Sequence, residues 1–470
     1  MDFPYGLAVV LFLFEGFIIQ CKGAGEPMSL NQIPDAPIID IKEDIPFLPY
    51  ELIEEIFSKT NYKTIQNAVR WGIVPANDYI MSKILEDRII AIRPELMDRI
   101  SEEYHRGDLF LIFGNFQKLK LFLDKFGDQV RKIEIVLEES SDTEGKKIIQ
   151  STIKRCAKKL EELRIDTSSD EEFWKEMLNG QNDIIFPEVK KFQISGRSSQ
   201  NELKLNLIFP KLECFKLFGS VADVNCLANV KTLKELTLQT TEIHEQELND
   251  IFANNKNMTK ICLLMPDRTE TMYSIAEHLT KLETLEVKYP GENFLLRANN
   301  NAVCKLPSVT HFYISFYNMD EVFGSGNLSF DMINLRKLTL SGSKTDGRII
   351  SFIKHFKCLE MVELFMNECK AVECIEQLKG IKQFTIYFFE IGFDALKNVF
   401  ENFDTKSKLQ TLKFVNFDES EYETYEDTMK DINIHLKNSM KPTWTLSREE
   451  QIKTHQKYLI FRRDMIDFNL

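Results

Sequence analysis

One hexamer, with apolar residues at its first, fourth and sixth positions, recurs twelve times between residues 130 and 414. The clearest copies are LEELRI (160–165), LKELTL (233–238), LETLEV (282–287), LRKLTL (335–340) and LQTLKF (409–414). The others are VRKIEI (130), VKKFQI (189), LECFKL (212), MTKICL (258), VTHFYI (309), LEMVEL (359) and IKQFTI (381). Successive starts are 21 to 30 residues apart, a spacing that chance does not give twelve times. The last residues of each copy alternate apolar and polar, which predicts a short strand with two side chains turned inward. Between copies there is room for a turn, a helix and a return. EQELNDIFANNKN (245–257), ETMYSIAEHLTK (270–281) and GFDALKNVFENF (392–403) carry helical apolar spacing. A strand–helix unit of this size cannot bury its own apolar face, so neighbours must stack and bury it continuously.

This pattern resembles the leucine-rich repeat family over about Val130 to Phe417. The resemblance implies an α/β fold: a solenoid with a curved parallel sheet on one side and helices on the other. The family's turn Asn or Cys is clear only at Asn367; the equivalent places hold Thr241, Ser343 and Phe417. The repeats are therefore divergent.

Ahead of the repeats stands FLPYELIEEIFSKT (47–60). Pro49 suits the first position of a helix, where its missing N–H costs nothing. Leu52, Ile53, Ile56 and Phe57 share one face, and Glu51, Glu54 and Glu55 sit where the helix dipole favours negative charge. About three turns of helix are too few to be stable alone, so that face must be covered, either by the chain's own first repeats or by a partner. IPFLPYELIEEIF with NYKTIQNAVRW resembles the F-box, on Leu48, Pro49, Glu51, Leu52, Ile53, Ile56, Phe57 and Trp71. The resemblance implies a small all-α domain over 41–80 whose Leu48, Pro49, Leu52, Ile53, Ile56 and Phe57 bind the Skp-type adaptor of a cullin–RING ubiquitin ligase. The rest divides into an N-terminal segment (1–40), a helical connector (81–129), the solenoid (130–440) and a C-terminal capping helix (441–470). That last helix is read from SREEQIKTHQKYLIFRRDMIDF, which opens on a capping box, Ser447 and Glu450.

No catalytic constellation is visible. The seven histidines form no H-E-x-x-H, and no G-x-S-x-G, Walker or dinucleotide glycine pattern occurs, so neither an enzyme nor a cofactor is expected. A net charge of −13 argues against a nucleic-acid surface. The nine cysteines are scattered and odd in number, without C-x-x-C, which predicts reduced thiols and no metal site. That places the protein in cytoplasm or nucleus. The apolar run Leu7 to Ile19 has the length of a signal-peptide core and would make the protein secreted if residues 1–25 serve as one. No stretch is expected to span a membrane.

Polar slots of the late strands hold His311, Tyr313, Tyr317, Phe365, Tyr387 and Phe389, which predicts an aromatic patch on the concave face for a protein substrate. The reading is thus a non-catalytic substrate receptor of a cullin–RING ligase. The alternative is a secreted or cell-surface leucine-rich-repeat binding protein.

Overall fold

The computed structural model describes residues 85, 88–93, 100–105, 108–113, 116–136, 143–166, 185–195, 204–219, 225–227, 229–239, 244–264, 266, 269–290, 303–316, 330–342, 348–366, 380–387, 408–415, 422–438, 443–451 and 456–463. All lie in one compact unit, Glu54–Leu470. The segment 41–80, expected to be the F-box, lies outside them.

The described strands and helices begin with β1 (Arg88–Ile92), β2 (Ile100–His105), β3 (Asp108–Phe113) and helix α1 (Phe116–Phe126). Next come β4 (Lys132–Val136), α2 (Thr143–Cys156), β5 (Glu162–Asp166), β6 (Lys191–Ser195), α3 (Leu205–Ile208), β7 (Cys214–Phe218) and β8 (Glu235–Gln239). They are followed by α4 (Glu245–Asn254), β9 (Lys260–Leu264), α5 (Thr269–His278), β10 (Thr284–Lys288), β11 (Cys304–Lys305), β12 (His311–Ser315) and β13 (Phe330–Asp331). The last third holds β14 (Lys337–Gly342), α6 (Arg348–His355), β15 (Met361–Met366), β16 (Gln383–Tyr387), β17 (Thr411–Val415), α7 (Tyr422–Asn438), β18 (Trp444–Gln451) and β19 (Gln456–Arg463).

Each of the twelve hexamers begins two residues ahead of a strand. From β4 to β17 those strands pair parallel, each with the next. Among the described strands, β11 and β13 stand apart, as a separate two-stranded parallel sheet. The result is a parallel-strand solenoid, in which sequence neighbours are spatial neighbours. The three apolar positions of every hexamer are buried, none more than 5% exposed. At roughly 1.5–3 kcal/mol per buried apolar side chain, each added rung supplies its own core.

Two parts of the chain differ from expectation. The 81–129 segment is not a helical connector: it contributes three strands besides α1. β1 lies between β3 and β4, parallel to both, so two parallel strands, β3 and β1, precede β4 in the array. Its sequence, RIIAI, is buried at all five positions, the pattern of a strand covered on both faces rather than of an amphipathic helix. β2 then closes this end antiparallel to β3.

The C-terminal tail is a hairpin, not a capping helix. β19 pairs antiparallel with β17, and β18 pairs antiparallel with β19. The capping box at Ser447 is a local device worth about 1 kcal/mol. Against it stand eight paired residues and the burial of Trp444, Ile460 and Phe461. Phe461 meets Phe414 edge to face, with centroids 5.7 Å apart. Tertiary pairing wins over the local signal.

Asn255, just past α4 and 2% exposed, ties three stretches of chain together. Its Oδ1 accepts from the Leu233 N–H (3.0 Å), and its Nδ2 donates to the carbonyls of Val230 (2.8 Å) and Ile251 (2.9 Å). Asn255→Ala should lower stability by about 2 kcal/mol or more, because three buried backbone groups lose their partner. Urea unfolding checks this; a change below about 0.5 kcal/mol would mean that water replaces the amide at no cost.

Candidate functional site

Side chains at the third, fifth and seventh residue counted from each hexamer start point to the sheet's second face, away from the core. Pairing register stacks them in three rows across the strands. The two ends of this face differ in chemistry.

The early strands carry interlocked charge. Arg93 Nη2 is 2.9 Å from Glu134 Oε1, and Arg164 Nη1 is 3.8 Å from Glu134 Oε2. Arg164 Nε also donates to Glu162 (2.6 Å). Midway, Lys260 pairs with Glu286 at 2.6 Å. The Cys262 thiol, in the row of Glu286, is pushed up to about 12, first by burial and then by that carboxylate.

The late strands carry rings and hydroxyls. The middle row reads Tyr313, Thr339, Glu363, Thr385, Lys413, and the last row Ser315, Ser341, Phe365, Tyr387, Val415. Phe365 and Tyr387, registered neighbours on β15 and β16, stack with centroids 3.7 Å apart and planes 11° from parallel. A stacked pair of this kind is worth about 0.5–1.5 kcal/mol beyond its burial. Tyr313 is half-buried, near the hydroxyls of Ser341 and Ser315, and burial raises its pKa. Glu363 is engaged at both oxygens: Lys337 Nζ lies 2.8 Å from one and Thr339 Oγ1 donates to the other at 3.0 Å.

The sequence-predicted patch is therefore divided. The structure brings Phe365 and Tyr387 together. His311 and Tyr313 lie on β12, two strands from β15 and so about 10 Å away at ordinary strand spacing. His311 is exposed, with Nδ1 2.9 Å from Thr310 Oγ1. Tyr317 and Phe389 lie outside the described residues, as do Leu48, Pro49, Leu52, Ile53, Ile56 and Phe57.

No protein-family model matches the sequence, and no curated protein matches it. Among solved structures, an internalin from Listeria monocytogenes is similar at 14% identity. The match covers 62% of this chain and 81% of that one, with a TM-score of 0.29. So low a score carries no weight, and the repeat assignment stands on this chain's own strand register.

Several residues of the second face escaped the sequence reading. Tyr289 follows β10 with φ of 52°, where an earlier repeat places Gly219 at φ 120°. A left-handed tyrosine costs about 1–2 kcal/mol, and only the following Pro290–Gly291 hints at it in the sequence. Thr385, Lys413 and Arg462 also face this side, by register with neighbours that do. Among the described residues no cluster of His, Cys, Asp or Glu could hold a metal ion, and no helix is long and apolar enough to cross a membrane.

Six described cysteines are free thiols. Burial pushes Cys156 up to about 12, and Cys214 and Cys304 up to about 11. Cys358 is exposed. At pH 8 an alkylating reagent should modify Cys358 in the native protein and spare Cys156, Cys214, Cys262 and Cys304 until urea unfolds the chain. Peptide mass mapping reads the outcome, and rapid native labelling of Cys262 would contradict it. A raised folded pKa also fixes a sign: the stability these neutral thiols contribute is present below their ordinary value of 9.0 and is lost as pH rises from there toward the folded values.

Proposed function

We propose that this chain is a non-catalytic receptor that grips another protein on the second face of its solenoid, around Phe365 and Tyr387. The stacked rings carry the reading. Aromatic side chains lose little rotamer freedom on binding and are enriched among interface anchors. The surrounding Ser341, Thr385 and Val415 bring no charge that a partner would have to desolvate.

The F-box resemblance of 41–80 gives the receptor a purpose. In this reading Leu48, Pro49, Leu52, Ile53, Ile56 and Phe57 bind a Skp-type adaptor, which links the chain to a cullin–RING ubiquitin ligase. The solenoid then holds the substrate while a charged conjugating enzyme reaches its lysines, so the contribution is proximity rather than chemistry. The apolar run Leu7 to Ile19 is the feature that favours the secreted alternative.

Two experiments test this. The full chain should co-purify with a Skp-type adaptor, and Leu52→Asp with Ile56→Asp should abolish retention while the array stays folded. A wild-type chain that retains no adaptor removes the ligase reading. Separately, Phe365→Ala and Tyr387→Ala should each weaken partner binding by more than about 1 kcal/mol with little change in unfolding midpoint. Large loss of stability instead would make the rings structural.

A further inference from the structure

On the premise that the ring pair contacts a partner, we infer that the partner segment is acidic, with a carboxylate seated on Lys413, Arg462 and Thr385 beside the Phe365–Tyr387 stack. Thr385 is 2% exposed, and its Oγ1 has no hydrogen-bond partner. A buried hydroxyl without a partner is uncommon and costly. The obvious acceptor, Glu363 on the adjacent strand, is turned to Lys337 and Thr339 and does not bond the Thr385 hydroxyl. On the other side, Thr385 is in register with Lys413 of β17, so both side chains leave the sheet on the same face. Lys413 makes no ion pair among the described residues. Its flexible four-carbon stem can swing to admit an acid to the hydroxyl.

The next strand adds a second cation. Arg462 of β19 is in register with Thr411, two residues before Lys413, and so shares that face. It is exposed and donates to Ser447 Oγ at 2.7 Å, which holds the guanidinium over the hairpin. Two cations, a hydroxyl lacking an acceptor and an aromatic pair thus occupy consecutive strands. Cation plus hydroxyl donor is the chemistry that takes a carboxylate, through charge-assisted hydrogen bonds. The rings next to it suit an apolar side chain two residues along an extended segment, since Thr385 and Tyr387 are themselves two apart on one strand face.

Four pools of fluorescein-labelled dodecamer peptides provide the test, with alternate positions fixed as Asp/Glu, Asn/Gln, Lys/Arg or phosphoserine. Fluorescence anisotropy on the full chain should show the Asp/Glu pool binding about tenfold more tightly than the Asn/Gln pool, as one charge-assisted contact implies. Lys413→Glu should reverse the preference toward Lys/Arg. Thr385→Val should weaken the Asp/Glu pool several-fold and leave the Lys/Arg pool unchanged. Should Lys413→Glu unfold the chain, Lys413→Gln serves instead, and the acidic preference should vanish without reversal. Equal or tighter binding of the neutral or basic pool overturns the inference, as does binding of the phosphoserine pool alone. The broader reading fails separately: it falls if no pool binds, or if Phe365→Ala and Tyr387→Ala leave binding unchanged.

Discussion

Every rung of this protein hangs on one backbone contact. The carbonyl of each hexamer's second residue accepts two N–H groups from the second and third residues of the next hexamer. Arg131 holds Glu161 and Glu162 in this way, Glu161 holds Lys190 and Lys191, and the sequence continues to Lys382, which holds Gln410 and Thr411. The distances run from 2.7 to 3.1 Å. Because the acceptor always lies in the previous repeat, no unit satisfies its own strand, and stability becomes a sum over neighbour contacts. The side chains at that same second position alternate in sign: Arg131, Glu161, Lys190, Glu213, Lys234. Lys234 lies 2.9 Å from Glu213, and further on Lys382 lies 2.8 Å from Glu360. Exposed pairs like these add little energy each. Their value lies in order, since a rung placed out of turn would set like charges side by side.

A stack of this kind ends in a free sheet edge, and both ends are handled by reversing strand direction. At one end β2 turns antiparallel to β3; at the other β19 turns antiparallel to β17 and β18 completes a hairpin. An antiparallel strand needs no helix crossover and so brings no new apolar face to cover. Asn433 of α7 then seals the start of β18. Its side-chain amide donates to the Trp444 carbonyl at 2.7 Å and accepts from the Trp444 N–H at 3.0 Å, as a further strand would. The remaining β18 sequence, SREEQ, is charged and polar, a common guard against edge-to-edge association.

The interior of the array was legible in the sequence because its signal repeats. Twelve copies of one spacing locate twelve strands, even where a copy such as IKQFTI carries no leucine. The ends were not legible for the same reason: they break the repeat, and their local patterns point elsewhere. A capping-box pair read as a helix start where YLIF, all strand-forming or neutral residues, had a strand edge waiting some forty residues earlier in the chain. The site was half legible. Phe365 and Tyr387 stand seventh in their hexamer frames, so an aromatic pair on adjacent rungs followed from counting. Thr385 did not, because its missing hydrogen bond depends on which way Glu363 turns, and that choice is made by Lys337 two strands away.

The division of the second face also explains why binding belongs at its late end. Arg93, Glu134, Arg164 and Glu162 already pair their charges with one another on the early strands. A partner landing there would strip water from a charge network and have nothing better to offer it, and such desolvation commonly outweighs the Coulombic gain. On β15 to β17 the cost runs the other way. Phe365 and Tyr387, both half-buried, gain from losing water, and Glu363 is neutralised before any partner arrives. What a partner can still add is an acceptor for Thr385 and a counter-charge for Lys413. The face therefore rewards contact where it offers rings and an unpaired cation, and resists it where its charges are already paired.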